Sequence, residues 1–229
     1  MTRHPPLLRA GLAALLCGAC NAAPIDDGAQ LGPLTQIKDG FTSAFLLETG
    51  GGAVLFDAGL SAGAGAISDA LAERSLSLDD VTHVVVTHGH GDHLGGLAAM
   101  PDAVVVAHPD EQGLLELEGV RANMAVPDGG LVQVGDVVIE ALHVPGHTAG
   151  SVVWRVEGVL VMGDVALQSR SGDAIAPPEG FSDDPARNDA SVRALYDRLE
   201  ERGDDIAWLA FAHSAPLRGL APLKGFPAE

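Results

Sequence analysis

The sequence predicts a mixed α/β fold, and three observations carry that prediction. Short apolar runs rich in valine and leucine recur along the 229 residues, each bounded by Gly, Pro or Asp, which reads as strands closed by turns. Stretches with the helical spacing of apolar residues lie between some of them. The histidines and aspartates able to do chemistry fall where apolar runs end. A hydrophobic content of 47% with 29 glycines suits one compact, loop-rich domain rather than a disordered chain.

Taken in order, residues 21–31 mix Ala, Pro, Asp and Gly without periodicity and are expected to form a tether ahead of a domain over 32–229. Apolar runs at 41–49 and 53–57, separated by Gly50-Gly51-Gly52, predict a hairpin. An Ala-rich helix is expected over 63–74. The strand 84–86 leads into a histidine-rich turn, and the strand 103–107 into a helix over 109–118. Strands at 137–144 and 151–156 flank Pro145-Gly146-His147, and a strand at 159–162 runs into Gly163-Asp164. Residues 168–187 are polar and rich in Gly, Pro and Asp, which predicts a long exposed loop placed to act as a substrate lid. Val192, Leu195, Tyr196 and Leu199 share one face at i, i+3, i+4, i+7, so 189–202 is expected to be a helix with Tyr196 turned to the core. The last strand, 206–211, ends just before His213.

The turn after the strand at 84–86 reads His88-Gly89-His90-Gly91-Asp92-His93. Imidazoles and a carboxylate crowded this tightly are costly to pack unless a cation compensates them, and they are ligand types that suit zinc. Three more candidates stand elsewhere: His147 in a Gly/Pro turn that permits close backbone approach to an ion, Asp164 directly after an apolar strand, and His213 beyond the last strand. Both cysteines, Cys17 and Cys20, lie near the N-terminus, so any metal in the rest of the chain must be held by His and Asp.

The chain carries 31 acidic against 13 basic residues, a formal net charge of −18. Such a surface repels phosphate backbones, so no nucleic-acid partner is expected and the substrate is expected to be a small molecule. Residues 1–20 differ from the rest. Arg3 and Arg9 accompany an apolar run over 10–16 that is too short to span a bilayer, which reads as an export signal. Cys17-Gly18-Ala19-Cys20 resembles a bacterial lipoprotein signal, with Cys20 as the acylated residue of an anchored protein. Ordinary signal cleavage near Ala22-Ala23 is the alternative. Either way the expected location is the bacterial cell envelope or periplasm, with membrane contact only through lipid at Cys20.

Taken with the early acidic turn Phe56-Asp57-Ala58-Gly59, the H-x-H-x-D-H motif, His147, Asp164 and His213 make residues 34–214 resemble the metallo-β-lactamase superfamily. The resemblance implies a four-layer αβ/βα sandwich with metals at one edge of its two sheets. It implies that His88, His90 and His147 hold a first metal, that Asp92, His93 and His213 hold a second, and that Asp164 bridges them. Asp57 would buttress the metal loop through hydrogen bonds. Two zinc ions per chain are expected, with iron or manganese as alternatives. His83, His108 and His143 match no ligand position and are expected to be ordinary polar or packed residues.

The residue at the bridging position separates branches of the family. The β-lactamases place cysteine or commonly serine there, so Asp164 favours the branches that hydrolyse esters, thioesters and lactones. Two departures keep the substrate open: only residues 214–229 follow His213, too few for the C-terminal helical region of the glutathione thioester hydrolases, and Leu167 stands where the lactonases carry tyrosine. The expected reaction is carbonyl hydrolysis by a hydroxide bridging two zinc ions, with Asp92 orienting it. Two rival readings stand beside it: a mononuclear-iron persulfide dioxygenase using His88, His147 and Asp164, and a β-lactamase.

Overall fold

The computed structural model describes residues 21–228; the expected export signal and Cys20 lie outside them. Seven strands form a first sheet in chain order: β1 (Gln30–Leu31), β2 (Leu34–Asp39), β3 (Thr42–Thr49), β4 (Gly52–Phe56), β5 (Val81–Val85), β6 (Val104–Ala107) and β7 (Met124–Ala125). β1 to β4 pair antiparallel, and β4 to β7 pair parallel. The switch follows from the connections. A short glycine turn suits antiparallel neighbours, whereas parallel neighbours need a crossover, supplied by helices α1 (Gly65–Ala72) between β4 and β5 and α2 (Gln112–Leu117) between β6 and β7.

The second sheet contains β8 (Leu131–Val134), β9 (Val137–His143), β10 (Val152–Val156) and β11 (Val159–Gly163). A small hairpin of β12 (Leu167–Gln168) and β13 (Ala174–Ile175) and the helix α3 (Pro185–Arg202) come next. The chain then adds β14 (Trp208–Phe211) and β15 (Leu217–Arg218), giving the sheet order β15-β14-β11-β10-β9-β8.

Alternate residues of these strands bury opposite faces. Phe45, Phe56, Val85 and Val106 of the first sheet meet Ile139, Trp154, Val161 and Ala210 of the second in the inner core. On the outer face of the first sheet, Leu46, Leu55 and Val84 pack with Ile67 and Leu71 of α1 and Leu115 of α2. On the outer face of the second, Leu142, Val153, Leu160 and Phe211 pack with Val192, Leu195, Tyr196 and Leu199 of α3. The result is a helix–sheet–sheet–helix sandwich. Strands covered on both faces read as continuous apolar runs rather than alternating ones, as Val84-Val85-Val86 does.

Helix α3 has the clearest local cause. The Asp184 carboxylate accepts from the Arg187 N–H, Pro185 opens the helix, and Gly203 closes it at φ 68°. Tyr196 is 9% exposed and faces the core, with its hydroxyl donating to Glu200 Oε1 at 2.8 Å.

Two expectations are corrected here. Residues 21–31 are not a tether. Ala22 and Ala23 are buried, the Ala23 N–H donates to Gln168 O at 2.8 Å, the Arg170 N–H donates to Asn21 O at 2.8 Å, and Gln30–Leu31 joins the first sheet. Small side chains let this segment lie flat on the domain, so its lack of periodicity did not mean lack of packing. Residues 168–187 are not one exposed loop either, since Gln168 and Ala174–Ile175 pair in the small hairpin and α3 starts already at Pro185. No helix among the described residues is long and apolar enough to cross a membrane.

Candidate metal centre

Four strand ends at one edge of the sandwich deliver the candidate ligands. β5 leads into the turn holding His88 to His93, β9 into His147, β11 into Asp164 and β14 into His213. All seven come together there: His88, His90, His147 and Asp164 in one group, Asp92, His93 and His213 in the other.

The imidazoles of the first group aim at one another. His88 Nε2 lies 2.9 Å from His90 Nδ1, and His147 Nε2 lies 3.1 Å from each of those nitrogens. The rings are nearly perpendicular in pairs, at 87°, 86° and 85°. Three in-plane nitrogens therefore converge on a shared point. Asp164 joins the two groups: its Oδ2 is 3.0 Å from His213 Nε2, 3.6 Å from His147 Nε2 and 3.7 Å from His88 Nε2, while Oδ1 is 3.3 Å from His93 Nε2. Asp92 Oδ2 lies 3.4 Å from His213 Nε2 and 3.7 Å from His93 Nε2.

Hydrogen bonds behind the ligands set their tautomers. A carbonyl can only accept, so His213 Nδ1–H donates to Phe41 O at 2.7 Å and leaves Nε2 for the centre. The fully buried Asp57 carboxylate accepts from His93 Nδ1–H and from the Thr87 hydroxyl, both at 2.8 Å. Having given its proton to Asp57, the Thr87 oxygen accepts from His88 Nδ1–H at 3.1 Å. One carboxylate thus orients a histidine in each group. Gly163, at φ 53°, is needed just before Asp164, because a Cβ there would sit 2.6 Å from Thr87 Oγ1.

The electrostatics divide the same way. Burial holds the His88 imidazole well below its ordinary pKa, helped by repulsion from His93 and His147, and burial lowers His147 to about 4 against the pull of Asp164. These rings are neutral near pH 7, with lone pairs free. Burial also disfavours charge on His93 and His213, but the carboxylates of Asp164 and Asp57 reverse it at His93, as Asp164 does at His213, and both are raised. Burial pushes Asp164 up, yet the charges of His213 and His93 hold it well below the carboxylate range. Protons here occupy the neighbourhood of a buried anion, and cations binding to these ligands would displace them.

The residues fit a metal. The buried atoms His93 Nε2 and Asp164 Oδ1 have no hydrogen-bond partner, an arrangement costing about 1–3 kcal/mol per group unless something satisfies both. Imidazole nitrogens and carboxylate oxygens without thiolate suit a borderline divalent ion such as zinc.

A carboxylate not singled out from sequence ties this site together. Glu111, 1% exposed, accepts from Gly89 N–H through Oε1 at 2.7 Å, and through Oε2 from Gly150 N–H at 2.8 Å and Thr148 Oγ1 at 2.9 Å. It bridges the turn carrying His88 and His90 to the turn carrying His147. Gly150 must be glycine, since a Cβ would collide with the backbone nitrogen of Glu111.

The remaining described histidines, His83, His108 and His143, lie apart from the seven candidate ligands. His83 Nδ1 contacts Thr82 Oγ1 at 3.0 Å. His108 and His143 stack with centroids 3.9 Å and planes 12° apart, close to Asp110. His108 Nδ1 accepts from the Asp110 N–H at 3.3 Å and His143 Nε2–H donates to Ala149 O at 3.0 Å, so each ring has a protein partner of its own. His83→Ala and His108→Ala are each expected to leave metal content unchanged by elemental analysis, and loss of a full equivalent in either would overturn the ligand assignment.

A pocket of about 440 Å³ opens beside the centre, with His90, Asp92, His147, Asp164 and His213 among its lining residues. The family model of the metallo-beta-lactamase superfamily matches residues 37–213. Metallo-beta-lactamase domain-containing protein 1 of Mus musculus is 34% identical over 197 residues, covering 81% of this chain and 68% of that protein. Hydroxyacylglutathione hydrolase of Anaeromyxobacter dehalogenans (strain 2CP-C) is 32% identical over 166 residues, covering 71% of this chain and 58% of that protein. Matches to three other curated relatives span only 53%, 35% and 26% of their lengths. The solved structure of metallo-beta-lactamase SMB-1 bound to 2-mercaptoethanesulfonate superposes with a TM-score of 0.61 at 25% identity, covering 84% of this chain and 81% of that one.

Proposed function

We propose that this chain, which belongs to the metallo-β-lactamase superfamily, hydrolyses an ester, thioester or lactone using two zinc ions. His88, His90 and His147 would hold one, Asp92, His93 and His213 the other, and Asp164 both. The position of Asp164 carries the reading: its two oxygens face histidines of both groups, as a shared anion between two cations must. When bound, the cations lower the pKa of a water molecule towards about 7 and polarise the substrate carbonyl.

The chain's own residues supply the rest. The Asp92 carboxylate borders the pocket and is only partly buried, so it can accept a hydrogen bond from the attacking water and aim it at the carbonyl carbon. As that C–O bond forms, the proton lost by the water would pass to Asp92 and then to the departing alkoxide or thiolate, whose bond to the carbonyl carbon breaks. Asp57, Thr87 and Glu111 keep the histidines in register. The similarity to the Anaeromyxobacter hydroxyacylglutathione hydrolase supports this bond class.

The test is a panel of aryl esters, lactones, thioesters, β-lactams and a phosphodiester. Turnover is expected for an ester, thioester or lactone, less for a β-lactam and none for the phosphodiester. A phosphodiester rate about tenfold above the best ester, a reversal of about 1.4 kcal/mol, contradicts the reading.

We also place the protein at the cell envelope with Cys20 acylated. Asn21, the next residue, is already paired with Arg170 beside the pocket, so an anchor there would hold the pocket near the membrane surface. A fatty-acid analogue is expected to label the protein and Cys20→Ala to abolish the label; an unprocessed Met1 in a soluble cytoplasmic form would contradict it.

A further inference from the structure

We propose that the pocket beside the metal centre is an acyl-chain subsite, and that the substrate carries a linear, apolar acyl group of medium length. This rests on the hydrolase reading for the bond that is cut, and on the pocket's own walls for the group that is held. Five of the candidate ligands, His90, Asp92, His147, Asp164 and His213, belong to the pocket's lining. Most of the remaining lining is apolar: Ile25, Phe41, Leu167, Pro177, Pro178 and Phe181, with Ala22 and Ala23. Phe41 is 41% exposed beside His213, with its ring stacked on that imidazole at 5.9 Å and 18°. A single exposed aromatic is ordinary, but this one shares a concave wall with five other apolar side chains, the form of a site built for an apolar ligand.

The walls are preformed. The segment carrying Ile25 is held by the Ala23 N–H to Gln168 O and Arg170 N–H to Asn21 O bonds, each 2.8 Å, and Phe41 is held by the hydrogen bond its carbonyl accepts from His213. Pro177 and Pro178 stiffen the backbone that leads to Phe181. A chain entering such a slot loses its own freedom without having to order the protein as well. At about 440 Å³ the pocket is at the small end of ligand sites, which fits a medium chain rather than a long one. Lys38 and Arg170 also border it, so a substrate whose far end is anionic is the competing occupant that the test must separate.

The test uses zinc-loaded protein with p-nitrophenyl acetate, butyrate, hexanoate and octanoate, and with the corresponding monoester of suberate as the anion-ended comparison. Each added methylene is expected to raise kcat/KM by about fourfold until the pocket is full, equivalent to about 0.8 kcal/mol. Phe181→Ala and Ile25→Ala are expected to lower the hexanoate-to-acetate ratio by about tenfold, mainly through KM. A flat series, ratios unchanged in both variants, or a suberate monoester preferred over octanoate overturns the proposal. Calorimetric binding of butyrate, hexanoate and octanoate separates it from the hydrolase reading. Tighter binding of the longer anions in a protein that cleaves no ester keeps the subsite and removes the hydrolase; hydrolysis with a flat series does the reverse.

Discussion

Asp164→Ala is expected to strip the protein of at least one metal equivalent and to lower turnover by about a thousandfold, about 4 kcal/mol of transition-state stabilisation. The size follows from position. Among the described residues Asp164 is the one carboxylate within 4 Å of histidines from both groups, at 3.0 Å from His213, 3.3 Å from His93, 3.6 Å from His147 and 3.7 Å from His88. Removing it leaves two cations facing one another without their shared anion. The second group should empty first, because His93 and His213 depend on Asp164 for compensation, whereas His88, His90 and His147 still form a converging triangle. Thermal unfolding gives an independent readout: zinc should raise the midpoint of the wild type through binding to the native state, and raise that of the variant less. Two metals and full turnover in the variant would remove Asp164 from its bridging place.

Glu111→Ala should have the second largest effect, although Glu111 offers no atom to the centre. Truncation leaves the buried Gly89 N–H and Gly150 N–H without their acceptor, while the Thr148 hydroxyl keeps Ser151 Oγ at 2.7 Å, costing about 2–4 kcal/mol of stability in all. The loss falls on the two turns that carry His88, His90 and His147, so zinc affinity should weaken by about 10–100-fold. Glu111→Gln separates orientation from general destabilisation. With its oxygen towards Gly89 and its amide donating to Thr148, only the Gly150 N–H stays unpaired, and affinity should recover most of the way. Chelator competition reads the affinities directly. A Glu111→Ala protein that folds and binds zinc as tightly as the wild type would show that these turns hold themselves.

The convergence of the seven candidate ligands was legible in sequence because their spacing is local: a six-residue turn after a buried strand places four of them at once, and the other three each follow an apolar run. Asp57 was legible only through the family resemblance, since nothing in its own neighbourhood reveals that Thr87 and His93 would converge on it. Glu111 looked like an ordinary acidic residue in the first turn of a helix. Its burial depends on donors 22 and 39 residues away in sequence. The strand Leu34–Asp39 was missed for a related reason: Gln36 is buried and reads as polar, but its amide donates to Ser43 Oγ, Phe211 O and Ser214 O, tying the first sheet to the turn that carries His213. Ala22 and Ala23 lack any periodic signal, and their docking is decided by backbone pairing with residues 168–170. Patterns of three or four residues reveal strands and ligand turns; they do not reveal a polar group whose partner arrives from another strand.

The measurement closest to the central claim is zinc titration of metal-stripped protein, followed at each step by ester or thioester hydrolysis and by elemental analysis after gel filtration. Binding should saturate at two equivalents per chain, with hydrolysis absent from the stripped protein and complete only as the second site fills. Full hydrolysis without metal, or a protein that instead takes one iron and consumes oxygen with a persulfide, would contradict it.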